Sequence, residues 1–208
     1  MKKIVILGGG GHAKVVASIL KKLIAFEIVG YADKEDRGSL LGIPYLGSDE
    51  ALVELKERCG QCAAVLGVGY LGNSNLREQL VESFNTLFLM PAVVSPQAVI
   101  NEDVVVGDGT VVMDGVIVNS GTRIGKYVII NTRASIDHDC EVGDFVHIAP
   151  GAIVCGGVKV GAHSLVGAGA IVVQYKTIGE RCMIGAGAVV VKDCIEPGTY
   201  VGVPAKKL

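Results

Sequence analysis

Residues 130–160 read INTRASIDHDCEVGDFVHIAPGAIVCGGVKV, and within them Ile130, Ile136, Val142, Ile148, Val154 and Val160 fall six apart. The register extends in both directions. From Val94 to Val190 every sixth residue is Val or Ile, seventeen in succession. A period of six matches neither the 3.6 of a helix nor the 2 of a simple strand. It fits a short strand and a turn, repeated. Such a chain coils into a parallel β-helix whose aliphatic residues point into the bore. Three hexads close one coil, so seventeen give about six coils at a spacing of roughly 4.8 Å.

Two other columns agree. Four residues after each aliphatic the side chain is small or β-branched, as at Thr110, Val116, Thr122, Val128, Ala134, Cys140 and Ala152. A narrow bore has room for no more. Lys176 departs from this, so Gln174–Thr177 is expected to bulge or form a rim. Directly after the aliphatic stand Gly107, Gly125, Asn131, Gly143, Gly161, Gly167, Gly179 and Gly185. These are read as turn residues that accept left-handed backbone angles.

Ahead of the coils, residues 1–92 alternate strand and helix patterns, and residues 93–208 carry the hexads. Strands are expected at Lys3–Leu7, Glu27–Ala32, Ala63–Val68 and Thr86–Val94. Helices are expected at His12–Lys22, Ser48–Arg58 and Asn73–Phe84. This is a small Rossmann-like α/β domain with a glycine-rich first turn. Its fingerprint is Gly8-x-Gly10-x-x-Ala13, with Asp33 twenty residues further on. Glycines let a phosphate approach the backbone, and the helix start offers unpaired N–H groups. Gly8, Gly10, Gly11, His12 and Asp33 are therefore candidate nucleotide contacts. His12 reads equally well as a capping or packing residue. About ninety residues are too few for a dehydrogenase with its substrate domain, so a nucleotide sugar is expected rather than NAD.

The chain has 208 residues and a net charge of −2, with no basic stripe, so nucleic acid is an unexpected partner. Its mean hydropathy of +0.50 reflects the Val/Ile lining and leaves apolar surface for a subunit interface. The longest apolar run is too short to span a bilayer. The opening Met-Lys-Lys-Ile-Val-Ile-Leu resembles a signal peptide only until four glycines end it. Cys59-Gly-Gln-Cys62 lacks companion ligands, so reduced cytosolic thiols are expected and no metal.

Asp137-His138-Asp139 sets an imidazole between two carboxylates, the arrangement of a general base. Gly156 follows eighteen residues later, one coil above, where its N–H can meet a developing oxyanion. Ser120 lies one coil below. Alternation places both carboxylates opposite His138, so the turn must bend for either to reach it, and spacing does not choose between them. His147 falls half a coil away, on another side of the same protomer. A neighbouring chain would have to bring it to His138. His163 reads as structural. Cys140 and Cys155 lie near the site with no nucleophilic role.

The ordered segments GGGGHAKVV at 8–16, Asp33, NTRASIDHDC at 131–140, HIAPGA at 147–152, CGGVKVG at 155–161 and GVPAKKL at 202–208 resemble the bacterial sugar O-/N-acyltransferase family of the hexapeptide-repeat superfamily. That family includes sialic acid O-acetyltransferases and the UDP-4-amino-sugar (bacillosamine) and GDP-perosamine N-acetyltransferases. The resemblance implies an all-β left-handed parallel β-helix after the α/β domain. It implies that His138 is the base, Asp139 its partner and Asn131 a sugar-side contact. His147 and the Gly156 amide would face the acetyl thioester, with Ala168 and Gly185-Ala186-Gly187 lining the pantetheine groove. It further implies a cytoplasmic homotrimer with sites between chains, using acetyl-CoA and a nucleotide-linked amino sugar in surface glycan synthesis. O-acetylation of a sialic acid or related sugar is the nearest alternative. A zinc hydro-lyase like the γ-carbonic anhydrases, or a non-catalytic nucleotide-sugar-binding protein, are alternatives from other classes.

Overall fold

The computed structural model describes residues 1–59, 62–69 and 75–208. The chain divides into two compact units, Met1–Ser95 and Pro96–Leu208.

In the first unit, β1 (Lys2–Leu7), β2 (Phe26–Ala32) and β3 (Ala63–Leu66) form a parallel sheet in the order β2-β1-β3. Helices α1 (Gly11–Leu20), α2 (Asp49–Cys59) and α3 (Leu76–Phe84) alternate with them. Ile4, Val5, Ile6 and Leu7 are buried without alternation, as a central parallel strand covered on both faces requires. Helix α1 buries Ala13, Val16, Ala17, Ile19 and Leu20, a three-and-four spacing that lays one stripe inward. The expected start of α3 at Asn73 and two residues of the Cys59–Cys62 segment lie outside the described residues.

The expected strand Thr86–Val94 does not form as a whole. Leu87 and Phe88 still donate to the Phe84 carbonyl, which ends α3. The chain then touches the sheet through one bridge, Leu89 to Ala63, and Pro91 cannot donate to a ladder. Only Val93–Val94 is strand.

The second unit is a left-handed parallel β-helix with three walls. The first wall stacks Val111–Val112, Ile129–Ile130, His147–Ile148, Leu165–Val166 and Cys182–Ile184. The second stacks Val99–Ile100, Ile117–Val118, Ser135–Ile136, Ile153–Val154, Ile171–Val172 and Val189–Val190. The third stacks Val105–Val106, Arg123–Ile124, Glu141–Val142, Lys159–Val160 and Thr177–Ile178. Partners are eighteen residues apart in every wall, as with Ile129 and His147 or Ser135 and Ile153. The second strand residue points inward, and from Val112 to Val190 that residue is never more than 4% exposed.

The corners carry a second strict period. Every sixth residue from Asp103 to Gly187 has a φ between 55° and 75°. Glycines hold some of these positions, but so do Asp103, Tyr127, Arg133, Asp139, Phe145, His163, Tyr175 and Arg181. A left-handed residue other than glycine costs about 1–2 kcal/mol, so coil closure overrides local preference here. At one corner the cost is met by stacking. Tyr127 and Phe145 lie 4.9 Å apart between ring centroids, and Phe145 and His163 5.3 Å.

Two expectations are corrected. The left-handed residue is not the glycine after each aliphatic but the residue two further on. Those glycines answer to close stacking instead. A Cβ on Gly143 would lie 2.7 Å from the Ala162 nitrogen, and one on Gly161 2.5 Å from the Glu180 nitrogen. The Gln174–Thr177 turn does not bulge, for Lys159 N–H bonds the Lys176 carbonyl at 2.9 Å in the ordinary ladder.

Gly143→Ala should therefore destabilise the protein by about 1–3 kcal/mol through overpacking, read from the unfolding midpoint in denaturant. Gly143→Asn should do no better. Rescue by asparagine, which tolerates left-handed angles, would show that the backbone angle matters rather than the space.

Candidate functional site

Two constellations of chemistry-bearing residues emerge, one in each unit. In the first, the end of β1 runs into Gly8 (φ 111°) and then into α1. A cavity of about 740 Å³ opens over this turn, lined by Gly8 to His12, Asp33 and Arg37 among others. That volume suits a nucleotide-sized ligand. A side chain on Gly9 would strike the Tyr31 ring at 2.6 Å, whereas Gly10 and Gly11 face open space. Helix α1 has no acidic residue in its own first turn, so its N-terminal amides add a positive end to this cavity. His12 packs with its Cβ 3.4 Å from where a Cβ on Gly69 would stand.

Asp33 does more than the sequence anticipates. Its Oδ2 accepts the Gly9 N–H at 2.7 Å and thereby ties the end of β2 to the glycine turn. The Arg37 Nε stands 3.9 Å from the same oxygen. Tyr31, fully buried, shapes this loop: its hydroxyl donates to the Gly38 carbonyl at 2.6 Å and accepts the Arg37 N–H at 3.0 Å.

The second constellation occupies the corner between the second and third walls. His138 sits on a turn half exposed to solvent. Its Nδ1 bonds Asp139 Oδ2 at 2.9 Å. The bend that makes this possible is the left-handed Asp139, φ 57°, which swings its side chain out of strand alternation. Asp137 is engaged elsewhere: its Oδ1 accepts the Asn119 Nδ2–H at 2.8 Å and the His138 backbone N–H at 2.9 Å. Those bonds hold the Asp137 carboxyl below its ordinary range. The hydrogen bond to Asp139, with added attraction from both carboxylates, raises the His138 pKa above its ordinary value.

With Nδ1–H committed to Asp139, the neutral ring carries its lone pair on Nε2. That nitrogen lies beneath Gly156, 2.5 Å from where a Cβ would stand. The glycine is thus what admits the imidazole. The Gly156 N–H donates to no acceptor among the described residues, whereas the Gly157 N–H is spent on the His138 carbonyl at 2.9 Å. An open amide beside a basic nitrogen matches a proton acceptor next to an oxyanion donor. One coil higher, the exposed Tyr175 ring covers Gly157.

Cys140 is buried, with its thiol 3.2 Å from the Cys155 carbonyl, and burial pushes the thiol pKa up. It does not supply a thiolate nucleophile.

The remaining candidates lie across the second wall. His147 is on the first wall, and Asn131, Ala168 and Ala186 follow first-wall strands at the corner leading to the second. Asn131 and His147 meet, with Nδ2 to Nε2 at 3.2 Å. Asn131 Oδ1 accepts the Thr132 N–H at 2.8 Å, so its amide donates to His147, whose neutral ring is then protonated at Nδ1. Within one chain, then, His138, Asp139 and Gly156 come together on one edge, and Asn131 and His147 gather toward the other. His163 belongs to the ring stack with Tyr127 and Phe145 at the corner between the third and first walls. Asp144 accepts the Lys126 N–H one coil down at 2.7 Å. Asn119 was missed in the sequence, although Asn101, Asn119 and Asp137 repeat at the eighteen-residue spacing.

Asp139→Asn removes the charged acceptor from Nδ1, so the His138 titration should move down toward that of an ordinary histidine. Histidine NMR across a pH series measures this. An unmoved titration would show that Asp139 does not set the basicity.

Comparison with known proteins follows this division of the chain. The PglD N-terminal domain family matches residues 3–84. A perosamine N-acetyltransferase from Caulobacter crescentus, solved as a His-to-Asn mutant with CoA and GDP-perosamine, is 36% identical over 100% of this chain and 97% of its own, with a TM-score of 0.92. The acetyltransferase domain of PglB from Neisseria gonorrhoeae, in complex with acetyl coenzyme A, is 37% identical over 100% of this chain and 99% of its own, with a TM-score of 0.91. WeeI from Acinetobacter baumannii is 28% identical over 100% of both chains, with a TM-score of 0.88. No curated protein sequence matches significantly. Identity at this level along the entire chain, on a shared coil, makes this protein a member of the bacterial sugar O-/N-acyltransferase family of the hexapeptide-repeat superfamily.

Proposed function

We propose that this protein is an acetyl-CoA-dependent N-acetyltransferase acting on a nucleotide-linked amino sugar, in the cytoplasmic part of surface glycan synthesis. The observation that carries the reading is His138, oriented by Asp139 and seated directly beneath the open Gly156 amide. The similar Caulobacter protein was solved with CoA and GDP-perosamine, and the Neisseria domain with acetyl coenzyme A.

The glycine turn at Gly8, Gly10 and Gly11, with His12 and Asp33, holds the nucleotide. Asn131 contacts the sugar. The sugar amine attacks the thioester carbonyl while His138 Nε2 takes the amine proton, and Asp139 stabilises the imidazolium that forms. The Gly156 N–H donates to the oxyanion of the tetrahedral intermediate. Collapse of that intermediate breaks the carbon–sulfur bond, and the proton on His138 passes to the departing thiolate. Acetyl leaves sulfur for nitrogen with no covalent enzyme intermediate, in keeping with the buried Cys140. His147, Ala168 and Ala186 line the thioester groove.

Because those groove residues follow the first wall and His138 follows the second, a complete site draws on two chains. We assign a homotrimer packed through the second wall. Its outward residues include Val99, Ile117 and Ile153, exposed by 51%, 42% and 43% in the single chain. The third wall, beyond an exposed Val105, presents Arg123 and an ion pair between Lys159 and Glu141 at 2.9 Å, a more polar surface.

Turnover is measured as free thiol released from acetyl-CoA across a panel of nucleotide-linked 4-amino sugars. His138→Ala should lower it by about 10²–10⁴, and Gly156→Ala should also lower it by displacing the imidazole. The native kcat/KM should rise with pH through a pKa above the ordinary imidazole range. Full activity of His138→Ala would end the mechanism. Ile153→Asp should yield monomers in sedimentation and lose activity with them. An active monomer would remove the shared site.

A further inference from the structure

We propose that Asn119 decides which carboxylate orients His138: by engaging Asp137 from the coil below, it leaves the imidazole to Asp139. The inference rests on the general-base reading above and adds a positioning residue to it.

Three polar side chains stack at eighteen-residue spacing along the corner beneath the imidazole. Asn101 Nδ2–H donates to Asn119 Oδ1 at 2.7 Å, and Asn119 Nδ2–H donates to Asp137 Oδ1 at 2.8 Å. The ladder has a direction. An ionised carboxylate only accepts, so Asp137 at the top makes Asn119 present its amide upward and its carbonyl downward. The same Asp137 oxygen accepts the His138 backbone N–H at 2.9 Å. The turn is pinned further by Thr122, whose hydroxyl donates to the Asp137 carbonyl at 2.7 Å and accepts the Cys140 N–H at 3.0 Å. The Asp139 N–H meets the Ser120 carbonyl at 3.1 Å.

The need for such a device follows from the sequence. His138 has an acid on each side, and the charge of Asp137 already acts on the ring. If the Asp137 carboxylate were released it would compete for an imidazole N–H. Capture by Asp137 would turn the ring or shift its proton, and Nε2 would no longer stand bare beneath Gly156. A donor from Asn119 costs Asp137 that freedom without removing its charge.

The test uses the full-length protein labelled with ¹⁵N-histidine, at alkaline pH where the imidazole is neutral and without substrate. The His138 signals are identified by their loss in His138→Gln. In the native protein the proton should reside on Nδ1. In Asn119→Ala the share of that tautomer should fall, and kcat should drop about tenfold or more with little change in KM for acetyl-CoA. Adding Asp137→Asn to Asn119→Ala removes the competing charge, and most of the lost kcat should return. An unchanged tautomer in Asn119→Ala would overturn the inference, as would a double variant no better than the single one. The tautomer is read without catalysis. An active His138→Ala would therefore sink the base assignment alone, and an unmoved tautomer would sink only the role of Asn119.

Discussion

Closure of the coil in eighteen residues is the constraint on which everything else in the second unit depends. Each wall residue pairs with the residues eighteen before and after it, and the inward Val or Ile of one coil rests on that of the next. The ladder consumes the wall amides and carbonyls. It also takes the amide of the left-handed corner residue from Gly115 to Gly187, as when Tyr127 donates to the Asp108 carbonyl. The amide of the residue just before it is left over. Side chains claim it in several coils: Asp144 at Lys126, Asn131 at Thr132, Asp137 at His138. At Gly156 none of the described residues does, and the same holds at Ala162, Ala168 and Ala186. Backbone chemistry is thus available at corners, and the scaffold sets one of the open amides, that of Gly156, beside the imidazole.

The same geometry separates two chemically similar acids. Asp137 and Asp139 are two residues apart, yet one faces an amide ladder and the other an imidazole. The left-handed backbone of Asp139 lets its side chain leave the strand direction and reach the ring, while Asn119 engages Asp137 from the coil below. Coil stacking then brings Gly156 over the imidazole, where any side chain would collide. A base, its orienting acid and an open amide are all held by a rigid lattice, which is how reactive groups stay within a fraction of an ångström of working geometry.

Much of this was legible in the residues. The hexad marks the bore, and adding eighteen to His138 finds Gly156. Two kinds of misreading have physical causes. The glycines after each aliphatic were credited with left-handed angles because glycine is most often there for that reason, whereas here the next coil approaches too closely for a Cβ. Left-handed positions held by Tyr127, Arg133, Phe145 and His163 carry no composition signal, since closure imposes the angle on whatever residue falls there. In the first unit, Thr86–Val94 has strand-like residues, but the end of α3 and Pro91 leave a single bridge at Leu89.

By itself the sequence determined the period, and with it the walls, the bore and the vertical neighbours of every corner residue, because a repeat of fixed length leaves one way to stack. It determined the glycine turn that opens α1 and the acid at the end of β2. Tertiary structure alone decided which acid meets the imidazole, that the Gly156 amide beside it is unclaimed among the described residues, and that Asp33 ties down the glycine turn through Gly9. Those outcomes turn on backbone angles and hydrogen-bond competition between segments far apart in the chain, which residue order does not encode locally.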